Sequence, residues 1–147
     1  MRIALGSAQF GLNYGVTNSA GKVEYPEVKK ILSYARENNI NSIDTAIDYG
    51  ESEECLGRAD ITDWKVVTKL PEIPKNTNNI SEWVDEQIKK SLLLLKIPKL
   101  DALLLHRPID LLSNNGLKVW KIIQIKKNEG VVKKIGFPIY NPKELDL

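Results

Sequence analysis

Apolar and polar positions alternate along this chain in two rhythms. Short runs of apolar residues are followed by longer stretches with helical periodicity. Ile3–Leu5 reads as a strand. Pro26 to Asn38 reads as a helix, with Val28, Ile31, Leu32 and Ala35 forming one stripe and Pro26 in the first turn, where a proline is tolerated. Asn38-Asn39 can end it, because asparagine accepts the left-handed conformation. Ser42–Asp44 then reads as a strand and Ser52–Arg58 as a short helix.

The same rhythm continues downstream. Lys65–Lys69 is β-branched and strand-like. "PEIPKNTNN" is a loop. Residues 80–96 read as a strong helix, with Asn79 and Glu82 as a capping-box-like pair. Its acids (Glu82, Asp85, Glu86) lead and its lysines (Lys89, Lys90, Lys96) follow, which suits the helix dipole. Leu100–Leu105 is a strand and residues 117–128 a helix, with Gly130 as its stop. Val132–Phe137 is a fifth strand, and "NPKELDL" begins another helix.

Repeated βα alternation predicts an α/β fold of parallel strands with crossover helices. Two architectures compete: an open doubly wound sheet and a (β/α)8 barrel. A barrel takes roughly 250 residues, and this chain has 147. On length alone, a five-stranded flavodoxin-like sheet is the better fit, within a single domain spanning 1–147.

Composition narrows the function classes. With 42% apolar and 27% charged residues the chain is that of a folded globular domain. Twenty-one bases against 19 acids give a net charge of +2, which offers no footprint for nucleic acid. A single cysteine, Cys55, excludes an intrachain disulfide framework and fits a reducing cytoplasm; it reads as a small buried hydrophobe. The start, MRIALGSAQFG, has one charge and too short an apolar run for a secretory leader, and the longest apolar run, Leu92–Leu95, is far too short to span a membrane. No metal site is predicted.

In either architecture the functional rim lies at the C-terminal ends of the strands. Strand one ends in Gly6-Ser7-Ala8-Gln9-Phe10-Gly11. Strand two ends at Asp44, with Tyr49 in the loop beyond. Strand three ends at Lys69 and strand four at His106, the only histidine. Taken singly, each residue has an ordinary reading: Asp44 as a cap, Tyr49 as a packed ring, Lys69 as one of many lysines, His106 as a loop residue. Taken together at successive strand ends they fit carbonyl reduction. An alkoxide formed by hydride addition must be protonated. A phenol is a poor acid at neutral pH, a nearby ammonium stabilises its phenolate, a carboxylate orients that ammonium, and an imidazole donates to the carbonyl. Asp48, next to Tyr49, reads as a solvated bystander.

Five segments carry a family resemblance: "LGSAQFG", "DTAIDYGESEECLG", "VVTKL", "ALLLHRP" and "VKKIGF". In their order and spacing they resemble the aldo-keto reductases. The resemblance implies the N-terminal part of a (β/α)8 TIM barrel, with about five parallel strands and four to five helices, in place of the flavodoxin-like sheet. It implies NADPH (or NADH) as cofactor, bound without a Rossmann domain, and reduction of an aldehyde or ketone. It implies Asp44, Tyr49, Lys69 and His106 as the catalytic tetrad, with Tyr49 the proton donor, and places Ser7, Ala8 and Asp44 near the nicotinamide.

Two departures accompany the resemblance. The family's barrel runs on through strands six to eight, which carry further cofactor contacts, whereas this sequence stops at Leu147. On strand five the family commonly has Gly-Val-Ser, where this chain has Gly136-Phe137-Pro138, losing a hydroxyl and an N–H. An inactive truncated remnant, or an interaction module self-associating through open sheet edges, is therefore the alternative expectation.

Overall fold

The computed structural model describes residues 3–146. Five strands form one parallel sheet: β1 (Leu5–Gly6), β2 (Ser42–Asp44), β3 (Lys65–Leu70), β4 (Leu100–Leu105) and β5 (Val132–Gly136). Their order in the sheet is their order in the chain. Each strand pairs with its immediate predecessor, as in Leu5↔Ile43, Ile43↔Val66, Thr68↔Leu103 and Leu103↔Ile135. A doubly wound sheet reverses direction at a switch point. This sheet has none, so the flavodoxin-like order that length favoured is excluded and the singly wound arrangement of a partial barrel is what forms.

Between the strands lie α1 (Ala8–Gly11), α2 (Tyr25–Glu37), α3 (Ser52–Arg58), α4 (Ile80–Leu95) and α5 (Asn114–Asn128). The α2 stripe packs as its periodicity predicts: Val28, Leu32 and Ala35 are buried. Asn39 ends that helix at φ 59°, and Gly130 follows α5 at φ 79°. The Asn79 side chain accepts a hydrogen bond from the Glu82 backbone N–H at 3.2 Å, the N-terminal half of the expected capping box. Lys96 closes α4 in the left-handed conformation at φ 55°.

One core joins helices to sheet: Val28, Leu32, Ile43, Leu56, Val66, Val84, Ile88, Leu103, Ile123 and Val132 all belong to it. The outer layer is continuous. Tyr25 donates to the Arg58 carbonyl at 2.8 Å, joining α2 to the end of α3. Helix α3 packs on α4, and α4 on α5. At Gly57 an added Cβ would lie 1.9 Å from the Leu94 carbonyl oxygen, so this glycine is what lets α3 and α4 approach so closely.

Several boundaries differ from the expectations. The first strand is Leu5–Gly6, not Ile3–Leu5: its bridging partners on β2 are Ile43 and Asp44. Strand β5 stops at Gly136, before Phe137. Helix α5 begins at Asn114 instead of 117, since the Ser113 hydroxyl caps Gly116 N–H at 2.9 Å. A single 3₁₀ turn, Pro108–Leu112, precedes it, and Pro142–Asp146 is 3₁₀ rather than α-helix. The last residue of the expected terminal helix, Leu147, lies outside the described residues.

Candidate active site

The C-terminal ends of β1 to β4 bring the predicted residues to one rim. Asp44 is the last residue of β2 and Lys69 the penultimate residue of β3. His106 follows the last residue of β4. Tyr49 lies in the loop between β2 and α3. That loop turns at Gly50, with φ 56°, as "DYG" suggests. An added Cβ on Gly50 would lie 2.6 Å from the Gly11 carbonyl oxygen, and one on Gly11 would lie 1.9 Å from that of Tyr49. Two side-chain-free positions thus seat the Tyr49 loop directly on α1.

Lys69 is the electrostatic centre of the rim. Its side chain is 5% exposed, and its Nζ donates to the Asp44 carboxylate and, at 2.8 Å, to the Thr45 carbonyl. A buried ammonium needs such partners, because desolvation otherwise penalises its charge. The same Nζ sits 5.0 Å from the centroid of the Tyr49 ring. On its other side Tyr49 meets His106 edge to face, with centroids 6.0 Å apart and planes at 83°. Asp44, Lys69, Tyr49 and His106 therefore form one contiguous cluster.

The expected lowering of the phenol pKa by Lys69 does not appear in this arrangement. The Tyr49 pKa is raised, first by burial of the ring and then by the negative charge of Asp44. Geometry accounts for it: Lys69 lies over the ring and gives its hydrogen bonds to Asp44 and Thr45. Tyr49 consequently holds its proton at neutral pH.

Ser7 is fully buried and its hydroxyl is already engaged. Ser7 Oγ donates to the Asp44 carbonyl at 3.1 Å, and Ser7 N–H reaches the same oxygen at 3.0 Å. Ser52 Oγ lies 2.8 Å from Ser7 Oγ and 3.1 Å from Thr45 Oγ1. This chain of hydroxyls ties the end of β1 to the β2 loop and the start of α3. Ala8 opens α1, and its neighbours frame a cavity of about 350 Å³ lined by Gly6, Ser7, Ala8, Gln9, Tyr14, Gly15, Asp44 and Tyr49.

Residues missed in the sequence support this cluster from behind. Glu53, 2% exposed, accepts from Thr68 Oγ1 at 2.7 Å and from Ser91 Oγ. Burial raises its pKa against the opposing effect of those hydrogen bonds. Its spacing to Leu56 and Gly57 on the buried face of α3 was the available signal. Asp48, expected to be a bystander, has its carboxylate 3.7 Å from His106 Nδ1. Cys55 is half-buried and packs against the core, which raises its thiol pKa. Among the described residues no group of His, Cys, Asp and Glu is placed to hold a metal ion, and no helix is long and apolar enough to cross a membrane.

Sequence and structure now converge on one assignment. The model of the Aldo/keto reductase family matches residues 2–146, and the chain belongs to that family. Among solved structures it is similar to PA4992 of Pseudomonas aeruginosa, a protein assigned to the aldo-keto reductases. Identity is 28% and the TM-score 0.76, over 92% of this chain and 54% of that one. It shares its fold with aldo-keto reductase AKR11C1 of Bacillus halodurans, solved in a holo form, at 20% identity and TM-score 0.73, covering 99% of this chain and 48% of that one. A third likeness is to Bombyx mori AKR2E4, solved in complex with NADP, at 22% identity and TM-score 0.68, covering 92% and 46%. The chain thus spans about half the length of the solved structures it matches. No curated protein matches it.

Proposed function

We propose that this chain supplies the acid–base half of an NAD(P)H-dependent carbonyl-reducing site, with Tyr49 as the proton donor. The observation that carries the reading is the continuous contact from Asp44 through Lys69 to Tyr49 and on to His106. Each member has one task. Tyr49, protonated at neutral pH, gives its proton to the nascent alkoxide. Lys69 lies over the ring, 5.0 Å from its centroid, and fixes where the phenol stands relative to Asp44. Asp44 and the Thr45 carbonyl hold Lys69 in place. His106 orients the aldehyde or ketone.

The cavity beside Tyr49 would take the nicotinamide end of the cofactor: small residues Gly6 and Ala8 leave room for a flat ring, and Asp44 and Tyr49 share the lining. No basic residue lines it, so the phosphates would be held by other parts of the protein. When bound, the nicotinamide supplies the hydride. The Ser7–Ser52–Thr45 hydroxyls hold Asp44 and the cavity floor in register, and they serve as scaffold rather than as free ligands.

A second reading, of a chain that keeps the cluster without turnover, is supported by Pro138 after β5, which offers neither a hydroxyl nor an N–H. One experiment separates the two. NADPH fluorescence is titrated with the protein, and turnover of a simple aldehyde is followed in wild type and Tyr49→Phe. The enzyme reading expects cofactor binding and a turnover lost in Tyr49→Phe. Fluorescence unmoved by millimolar cofactor would sink it for this chain, whereas turnover surviving Tyr49→Phe would remove Tyr49 as donor.

A further inference from the structure

His106 is the only histidine in the chain, and the rim leaves one of its nitrogens unexplained. Nδ1 is buried from solvent and has no hydrogen-bond partner among the described residues. A buried ring nitrogen without a partner forfeits its hydration with nothing in return, so native proteins rarely leave one so. Water does not reach this atom. The Asp48 carboxylate does come near, with Oδ2 3.7 Å away, beyond hydrogen-bond length. Its side chain is 53% exposed, so a rotamer change can bring the oxygen closer.

Neighbouring charges have other duties. Lys69 is bound to Asp44 and Thr45, and Arg107 is paired with Glu72 and Asp110. The Tyr49 ring covers His106 with an edge-to-face contact and offers Nδ1 no acceptor. Among the described residues Asp48 alone has both the position and the free lone pairs.

We propose that Asp48 is a positioning residue for His106: it accepts the Nδ1–H hydrogen bond and fixes the imidazole in the Nδ1-protonated tautomer. A carboxylate on one ring nitrogen determines what the other can do. With the proton held on Nδ1, neutral His106 presents Nε2 as an acceptor. Donation from Nε2 to a carbonyl then requires the doubly protonated ring, whose charge Asp48 balances. The consequence for catalysis rests on the function proposed above, but the tautomer assignment does not.

Because there is one histidine, selective ¹⁵N-histidine labelling gives one ring to read. Long-range ¹H–¹⁵N correlation in the neutral range should show Nδ1 as the protonated nitrogen and Nε2 as the unprotonated one. Asp48→Ala should move the population to the Nε2-protonated form, and Asp48→Glu should largely restore the wild-type pattern. Circular dichroism confirms that each variant is folded, as expected for a half-exposed position. A wild-type ring protonated at Nε2, or a spectrum unchanged in Asp48→Ala, overturns the proposal. The measurement needs neither cofactor nor turnover. Failure of the reductase reading, seen as absent cofactor binding, would therefore leave this result standing, and the reverse also holds.

Discussion

Thr68 and Lys69 are adjacent on β3 yet serve opposite sides of it: Thr68 donates to buried Glu53 on α3 at 2.7 Å, while Lys69 reaches the rim. The strand is therefore clamped from behind at the residue next to the one that carries the charge.

That clamp has a pH signature. Burial raises the Glu53 pKa from its ordinary value, against the hydrogen bonds from Ser91 and Thr68. A folded-state pKa raised above the unfolded value means that the native protein binds the proton more tightly. Stability is therefore highest at or below the unfolded value and declines as pH rises towards the raised one. Urea unfolding between about pH 4 and pH 8 should show this decline in wild type and a flatter profile in Glu53→Gln. Glu53→Ala strands two buried hydroxyls, Thr68 and Ser91, and should cost about 1–3 kcal/mol for each. A profile identical in wild type and Glu53→Gln would contradict this account.

Asp44→Ala leaves the Lys69 ammonium, 5% exposed, with only the Thr45 carbonyl. Removing one partner of a buried pair costs roughly 3–5 kcal/mol. Asp44 is itself 39% exposed, so the loss should fall at or below the lower end of that range. Chemical denaturation measures it. The double variant Asp44→Ala/Lys69→Met removes the stranded charge and should recover part of the stability. Strict additivity of the two single changes would show that the pair is not coupled.

Gly11 tolerates no side chain. A Cβ there would stand 1.9 Å from the Tyr49 carbonyl oxygen and 2.4 Å from the Ser52 nitrogen. Backbone must move to admit it. Gly11→Ala should destabilise by more than the roughly 1–3 kcal/mol usual for overpacking, and it should push the Tyr49 loop off α1. Near-ultraviolet circular dichroism and solvent quenching of tyrosine emission report that displacement. A variant as stable as wild type with unchanged tyrosine signals would rule the contact out as a determinant.

Self-association through the sheet edges should be weak. Among the described residues β1 pairs only with β2 and β5 only with β4, so two edges are open. Open edges template pairing with a second chain. But β1 is two residues long, and β5 carries the exposed lysines Lys133 and Lys134, which blunt an edge. Light scattering should give a mass rising slowly with concentration from 16.6 kDa, and Lys133→Thr/Lys134→Thr should associate more strongly. Monomer throughout, in both proteins, would count against any edge pairing.

Element type was legible where periodicity was long or burial complete. The α2 stripe at Val28, Leu32 and Ala35, and the apolar run Leu100–Leu105, leave little choice. Helix α1 went unseen because four residues ending in glycine carry no period. Asn114, Asn115 and Gly116 are poor helix formers, and α5 starts there only through the Ser113 cap and a glycine packed on the Asp110 carbonyl. In the site, residue types and strand ends pointed to the cluster of Asp44, Tyr49, Lys69 and His106. Glu53 was hidden because an acid early in a helix reads as a dipole complement, and Asp48 because its nearness to His106 depends on a contact between different strands' loops.

The consecutive strand order also bears on how the rim comes into being. Each pairing waits only for the segment just synthesised, so the sheet can grow outward from β1 as a chain emerges N-terminus first. The docking of β4 brings His106 beside Tyr49 and completes the cluster with Asp44 and Lys69. Every member of that cluster is thus in the chain before α5 and β5 are made, so its assembly need not wait for them.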